Sequence, residues 1–179
     1  RKMDVALNEK TVMAVQAQDG TLAFTRRGDL RVSSQGVLEN GSYHPVLGQG
    51  GNPITIPPGF EVSITKEGDV YARDPAQPAA VPPVLVERLM LRDASQVRLE
   101  RREDSLFRPQ ADFKTATGDF TSGPIPASVT PQAVESSNVN PITAMVKMID
   151  FSRSFESNMR FIEEAKSLDE SGASMLKAR

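Results

Sequence analysis

The sequence predicts a mainly β chain that ends in one long α-helix: an antiparallel sandwich or barrel-like domain followed by a C-terminal helix. Three observations carry this. Short apolar runs recur about every eight to twelve residues, with Gly at the corners, through roughly the first 110 residues. A stretch rich in Pro, Ser and Thr follows. After Pro141 there is no further Pro, and no Gly until Gly172. The expected division is a β domain over 1–112, a connector over 113–137 and a helix over 138–179.

The β runs begin with Thr11 to Ala17, which ends at the turn pair Asp19-Gly20. Leu22 to Arg26 follows, so the two read as a hairpin. Leu30-Arg31-Val32, Gly36-Val37-Leu38 and Asn40-Gly41 keep the rhythm, as do Pro45-Val46-Leu47, Ile54-Thr55-Ile56, Phe60 to Ile64 and Asp69 to Ala72. Pro75, Pro78, Pro82 and Pro83 mark an irregular loop. Val84 to Leu91 is strongly apolar and predicts one central strand. Val97 to Leu99 and Leu106-Phe107 close the set, and no segment of helical period precedes Pro141. In the connector, Pro124, Pro126 and Pro131 favour extended backbone over a regular ladder, and the segment can lie against the β domain.

The helix is predicted from about Pro141 to about Leu176, with Ser171-Gly172 as the place where it would fray. Pro suits the first helical position, since its missing N–H has no intrahelical partner there. Asn140 before it is a good N-cap. At about 1.5 Å per residue the helix would be roughly 50 Å long, more than a small core needs. Ile142, Met145, Ile149, Ser152, Met159 and Ile162 fall mostly at alternating steps of three and four. Met148, Phe151, Phe155 and Ile162 form a second line beside them. Together they make an apolar band wider than a two-helix seam. Lys147, Asp150, Arg153, Glu156, Arg160, Glu163, Glu164 and Lys166 occupy the rest. Such a band either packs on its own domain or requires a partner from outside the chain.

Composition narrows the chemistry. The net charge is -2, which does not support a nucleic-acid footprint. No Cys is present, so disulfides and thiolate metal sites are excluded. No apolar run approaches the length of a membrane span. His44 is the only His and cannot by itself build a metal site. Gly48-Gln49-Gly50-Gly51-Asn52 resembles a phosphate loop, but Pro53 and a β segment follow it where a helix is required, so it reads as a turn. Ser105, Ser122 and Ser128 have no neighbouring His to form a triad. Glu100, Glu103 and Asp104 alternate with Arg98, Arg101 and Arg102, the pattern of a solvated, charge-balanced edge. No catalytic residue, metal ligand or cofactor is expected.

Asp19-Gly20, Phe24-Thr25-Arg26, Gly28, Leu30, Gly36, Leu38, Gly41 and Pro45-Val46-Leu47-Gly48 resemble the β-domain signature of the bacterial flagellar rod and hook proteins. Pro53-Ile54, Ile56-Pro57, Ile64 and Gly68-Asp69-Val70 extend the likeness. Val134 to Pro141 is similar to the segment that opens the C-terminal helix in that family, and Met145 to Ile149, Arg153 and Phe155-Glu156 continue it. Arg153-Ser154-Phe155 is closer to a proximal rod member than to the distal rod and hook proteins, which more often carry Arg-Ala-Tyr there. Members of the family begin with a helix that pairs with the C-terminal one. This chain opens on Arg1 in the stretch resembling the entrance to the β domain, so a leading part is expected to be missing.

The resemblance implies a structural, non-catalytic subunit in the rod of the flagellar basal body, in the periplasm. It implies export by the flagellar type III apparatus, and contacts with other rod proteins and with copies of itself. It implies no nucleic acid, no small-molecule substrate and no embedding in a membrane. The terminal helix would join the inner coiled-coil layer of a hollow tube. Ile142, Met145, Ile149, Ser152, Phe155, Met159 and Ile162 would make subunit contacts, and Asn138 and Asn140 would set where the helix starts. A distal rod or hook subunit is the alternative within the family. From another class, a periplasmic or secreted β-domain binding module would need clustered exposed aromatics, yet only Tyr43 and Tyr71 are available and Trp is absent.

Overall fold

The computed structural model describes residues 2–78, 80–135 and 141–177, with helix side chains described from residue 142 to residue 167. The chain divides into two compact units, 1–135 and 136–179. The first is built of antiparallel strands and the second of one helix, as the sequence predicts. Among the described residues no sheet closes into a barrel.

Strand β2 (Thr11–Gln16) organises the first unit. It pairs on one side with β3 (Leu22–Thr25) in the predicted hairpin, Val15 opposite Ala23 and Gln16 opposite Leu22. On the other side it pairs with β9 (Leu91–Asp93), Thr11 opposite Asp93. Alternate side chains of a strand point to opposite faces. Here the two faces feed two separate cores. Met13, Val15 and Ala23 enter the larger one, with Leu30, Leu38, Val46, Ile54 and Leu89. Val12, Ala14 and Phe24 enter a smaller one, with Leu47, Met90 and Phe120. Burial on both faces explains why β2 reads as a nearly unbroken apolar run.

The remaining strands complete the two layers. The hairpin of β4 (Leu30–Val32) and β5 (Leu38–Asn40) and strands β6 (Glu61–Ile64) and β7 (Asp69–Arg73) turn apolar side chains inward, while in β8 (Val84–Arg88), which completes the meander, Val86 packs on the core and Val84 and Leu85 are exposed. Strands β10 (Leu99–Arg101) and β11 (Phe107–Pro109) extend the central sheet, giving the order β10-β11-β3-β2-β9. One reading is corrected. Val84 to Leu91 is not a single central strand: it splits between edge strand β8 and edge strand β9, which lie in different sheets. Leu89 and Met90 between them send their side chains to the two different cores. The apolar run therefore marks a crossing between layers.

The segment after Phe113 is held closely. Val129–Pro131 forms β12, which pairs with β1 (Val5–Leu7), Val5 opposite Pro131 and Leu7 opposite Val129. The Phe120 ring is fully buried, tilted against Phe24 with centroids 4.9 Å apart. Asp93 pins the intervening loop. Its buried carboxylate accepts from the Ser95 N–H (2.9 Å), the Ser95 hydroxyl (2.7 Å) and the Ile125 N–H (3.0 Å). Gly123 lies so close that a Cβ there would meet this carboxylate. Burial opposes ionisation of Asp93. The hydrogen bonds from Ser95 and Ile125, with Lys10 nearby, outweigh it and hold the carboxyl below the ordinary value.

The helix α1 (Pro141–Lys177) starts at the predicted Pro and runs through Ser171-Gly172 without a break.

Two outcomes follow from this packing. Phe120→Ala should cost about 3–5 kcal/mol in urea unfolding, because it empties a site between two layers; a loss under about 1 kcal/mol would mean the segment is not part of the core. Asp93 has a lowered pKa in the folded state, so its contribution is present above the unfolded value of about 3.9 and is lost as pH falls through the folded value. Thermal melts of Asp93→Asn should therefore start lower than wild type at neutral pH and fall less steeply below about pH 4.

Candidate assembly surface

Two features stand out: the uncovered side chains of α1 and the fastening at the point where the chain leaves the β unit. On α1, Ile142, Met145, Ile149, Phe155, Met159 and Ile162 are all exposed, and so is Ser152. Met148 is 72% exposed and Phe151 75%. Each of these large apolar groups would gain about 1.5–3 kcal/mol on full burial. Asn138 and Asn140 lie outside the described residues. Positions seven apart repeat along the helix: 145, 152 and 159 in one line, and 148, 155 and 162 in another. Spacing of this kind is what a helix carries when it packs along other helices. Val146 and Phe161 are further exposed apolar groups that sequence reasoning missed, because they fall outside both lines.

The exit of the β unit is fastened by Arg26. One guanidinium nitrogen donates to the carbonyls of Glu9 (2.6 Å) and Thr11 (3.0 Å), the other to that of Leu7 (2.8 Å). Nε donates to the Glu135 carboxylate at 3.0 Å. The planar fork of Arg suits this gathering of carbonyls, which a Lys could not match. Beside it the Gln132 N–H donates to the Asp4 carbonyl at 2.6 Å. The sequence showed Arg26 only as the end of a strand; nothing in its neighbours signals Glu135, which lies 109 positions on.

The residues considered for chemistry take structural places. His44 is buried beside Asn40, whose side-chain oxygen accepts from the N–H groups of Ser42 and His44 and holds Tyr43 at φ 65°. Gly48 to Asn52 is a turn, closed by the Gly48 N–H on the Asn52 carbonyl at 2.9 Å. Arg102 joins the β10–β11 turn to the β2–β3 turn, donating to Asp104 (3.1 Å), Asp19 (2.8 Å) and the Thr21 hydroxyl (2.9 Å). The Asp19 carboxyl is held well below its usual range, first by the Thr21 hydroxyl and N–H, then by Arg102. Among the described residues no group of His, Cys, Asp or Glu is placed to hold a metal ion. No helix there is long and apolar enough to cross a membrane.

A β unit that clasps its own chain ends, joined to a helix with heptad-spaced uncovered side chains, matches one protein class at both parts. The D1 domain of the flagellar hook proteins FlgE, FlgF and FlgG matches residues 6–72. The C-terminal domain of the flagellar basal-body rod proteins of the same group matches residues 130–175. The chain belongs to this family of flagellar rod and hook proteins. It is similar to the flagellar basal-body rod protein FlgF of Salmonella typhimurium, with 37% identity over 163 residues, covering 90% of this chain and 63% of that protein. The FlgF of Escherichia coli gives the same identity and coverage. A FlgG from Buchnera aphidicola is 28% identical over 162 residues, covering 89% of this chain and 59% of that protein. The chain thus spans 63% of the length of the first two relatives.

Arg26→Lys keeps the charge but loses the fork, so unfolding of the β unit in urea should show a loss of about 1–2 kcal/mol. Stability equal to wild type would show that the carbonyls of Leu7, Glu9 and Thr11 are satisfied without it.

Proposed function

We propose that this chain is a structural subunit of the bacterial flagellar rod, in its proximal part, within the basal body where the rod crosses the periplasm. The helix α1 packs with helices of other rod proteins and of further copies into the inner layer of a hollow tube. The tube transmits torque and passes exported subunits. The observation that supports this most is the exposed, heptad-spaced apolar band of α1 in a chain of this family. Ile142, Met145, Ile149, Ser152, Phe155, Met159 and Ile162 make the subunit contacts, and Asn138 and Asn140 set the helix start. The chain catalyses no reaction, and its partners are proteins, without nucleic acid or small-molecule substrate. A proximal place is favoured over a distal one by the 37% identity to FlgF of Salmonella typhimurium and Escherichia coli, against 28% to a FlgG of Buchnera aphidicola.

A charge on the band tests this. Ile149→Glu should abolish rod assembly and swimming in a flagellated strain that depends on this subunit. The thermal transition of the β unit should not move, because residue 149 is exposed. Normal motility in that strain would overturn the role given to α1.

A further inference from the structure

The last four residues of the β unit are held differently from the rest of it. Strand β12 ends at Pro131, and Gln132 follows with φ 59°. A side chain the size of Gln rarely takes this left-handed backbone, and keeps it only where its surroundings hold it there. Two ties do so, one on each side. The Gln132 N–H donates to the Asp4 carbonyl at 2.6 Å. Three residues on, one oxygen of the Glu135 carboxylate lies 3.0 Å from both Nε and Nη2 of Arg26. Between the ties Val134 is exposed and enters neither core.

The two partners of the second tie are unequally anchored. Arg26 also donates to the carbonyls of Leu7, Glu9 and Thr11, which stay in place whether or not a carboxylate is present. The Glu135 side chain is 51% exposed and makes no other hydrogen bond or ion pair among the described residues. Arg26 and Glu135 also stand beside a hollow of about 430 Å³ with an apolar lining of Val12, Ala94, Val97, Leu99 and Phe107.

We propose that Gln132 to Glu135 is a strap with two states, governed by ionic strength, and that Glu135 is its catch. Shut, it is bound to Arg26 and closes one side of the hollow. Open, Gln132 relaxes to negative φ, its N–H leaves Asp4, and that side of the hollow is cleared. Opening breaks one ion pair and one hydrogen bond and relieves the backbone at Gln132, so the two states lie close in free energy. The ladder between β1 and β12 and the carbonyl bonds of Arg26 persist in both. Salt screens a half-exposed ion pair, so the open state gains population as ionic strength rises. A strap held by apolar burial would not open with salt. The device does not depend on the rod reading.

The test is amide hydrogen exchange on the full chain, read by NMR at Gln132. The Val129 N–H, bound to the Lys66 carbonyl inside the β unit, is the internal reference. Glu135→Gln and Glu135→Ala should both speed exchange at Gln132 relative to Val129, by about fivefold in the Ala variant. Raising salt from about 0.02 M to about 0.5 M should speed it several-fold in wild type and leave both variants unmoved. The thermal transition of the β unit should be the same in all three proteins. Equal exchange at Gln132 in wild type and Glu135→Ala would overturn the catch. So would a wild type indifferent to salt, since the hold is then not ionic. A lower thermal transition in Glu135→Ala would also overturn it, because Glu135 would then support the whole β unit and not a local strap.

Discussion

The β unit depends on one long-range pairing. Strands β1 and β12 come from its two ends, Val5 opposite Pro131 and Leu7 opposite Val129. Val5, Leu7 and Val129 are almost wholly buried in the larger core. Joining segments so far apart carries a closure cost that rises only slowly with loop length, so the strands between them can be many without making the pairing prohibitive. Its consequence is positional. The Asp4 carbonyl meets the Gln132 N–H, and Arg26 binds the adjacent turn and Glu135 together. The chain enters and leaves the β unit at the same spot, and the exit is held by a charged group with several acceptors.

How much of this could be read from the residues depends on how local each signal is. The β2–β3 hairpin was visible because Asp19-Gly20 supplies the turn and both flanks are apolar. The meander from β6 to β7 was visible for the same reason at Gly68. β12 was not. Its three residues include a Pro and sit among Ser, Thr and Pro, and what makes it a strand is β1, far away in sequence. Phe120 likewise looks like a lone aromatic in a polar segment until Phe24 closes over it. The run from Val84 to Leu91 misled in the opposite way. Its apolar density is real, but Leu89 and Met90 serve two cores that only tertiary structure separates. Of the assembly surface, the helix and its spacing were legible, since a run of 37 helical residues opens on a single Pro. The clamp at Arg26 was not, because a guanidinium bound to carbonyls leaves no mark in the sequence.

The helix shows why its band asks for company. Isolated helices draw little stability from propensity alone, and most gain it by packing one face. In α1 the large apolar groups are spread over more than one line, and Phe151, Phe155 and Phe161 stand more than two-thirds exposed. A lone exposed apolar residue needs no explanation, but a continuous band along several turns marks an interaction surface. The charged residues Asp150, Arg153, Arg160 and Glu164 stay off the line from Met148 to Ile162, which is what a helix with one wet side and one dry side requires.

The region between the two family matches, residues 73–129, is where a separate insertion would be looked for. The structure gives it a different status. It supplies β9, β10 and β11, which are three of the five strands in the central sheet. Without β9 the outer edge of β2 would stand open at Thr11, Val12 and Met13, and without β11 the edge of β3 would lose its contact at Phe24. Open edges on the most buried strand would invite pairing with other chains. The smaller core would also lose Met90 and Phe120. What this region has to preserve is therefore a pattern: inward apolar groups at alternate positions, a carboxylate at Asp93 to pin the return, and a small residue at Gly123 beside it. Many sequences satisfy such a pattern, so the region can vary in residue identity while remaining as much a part of the fold as the segments on either side.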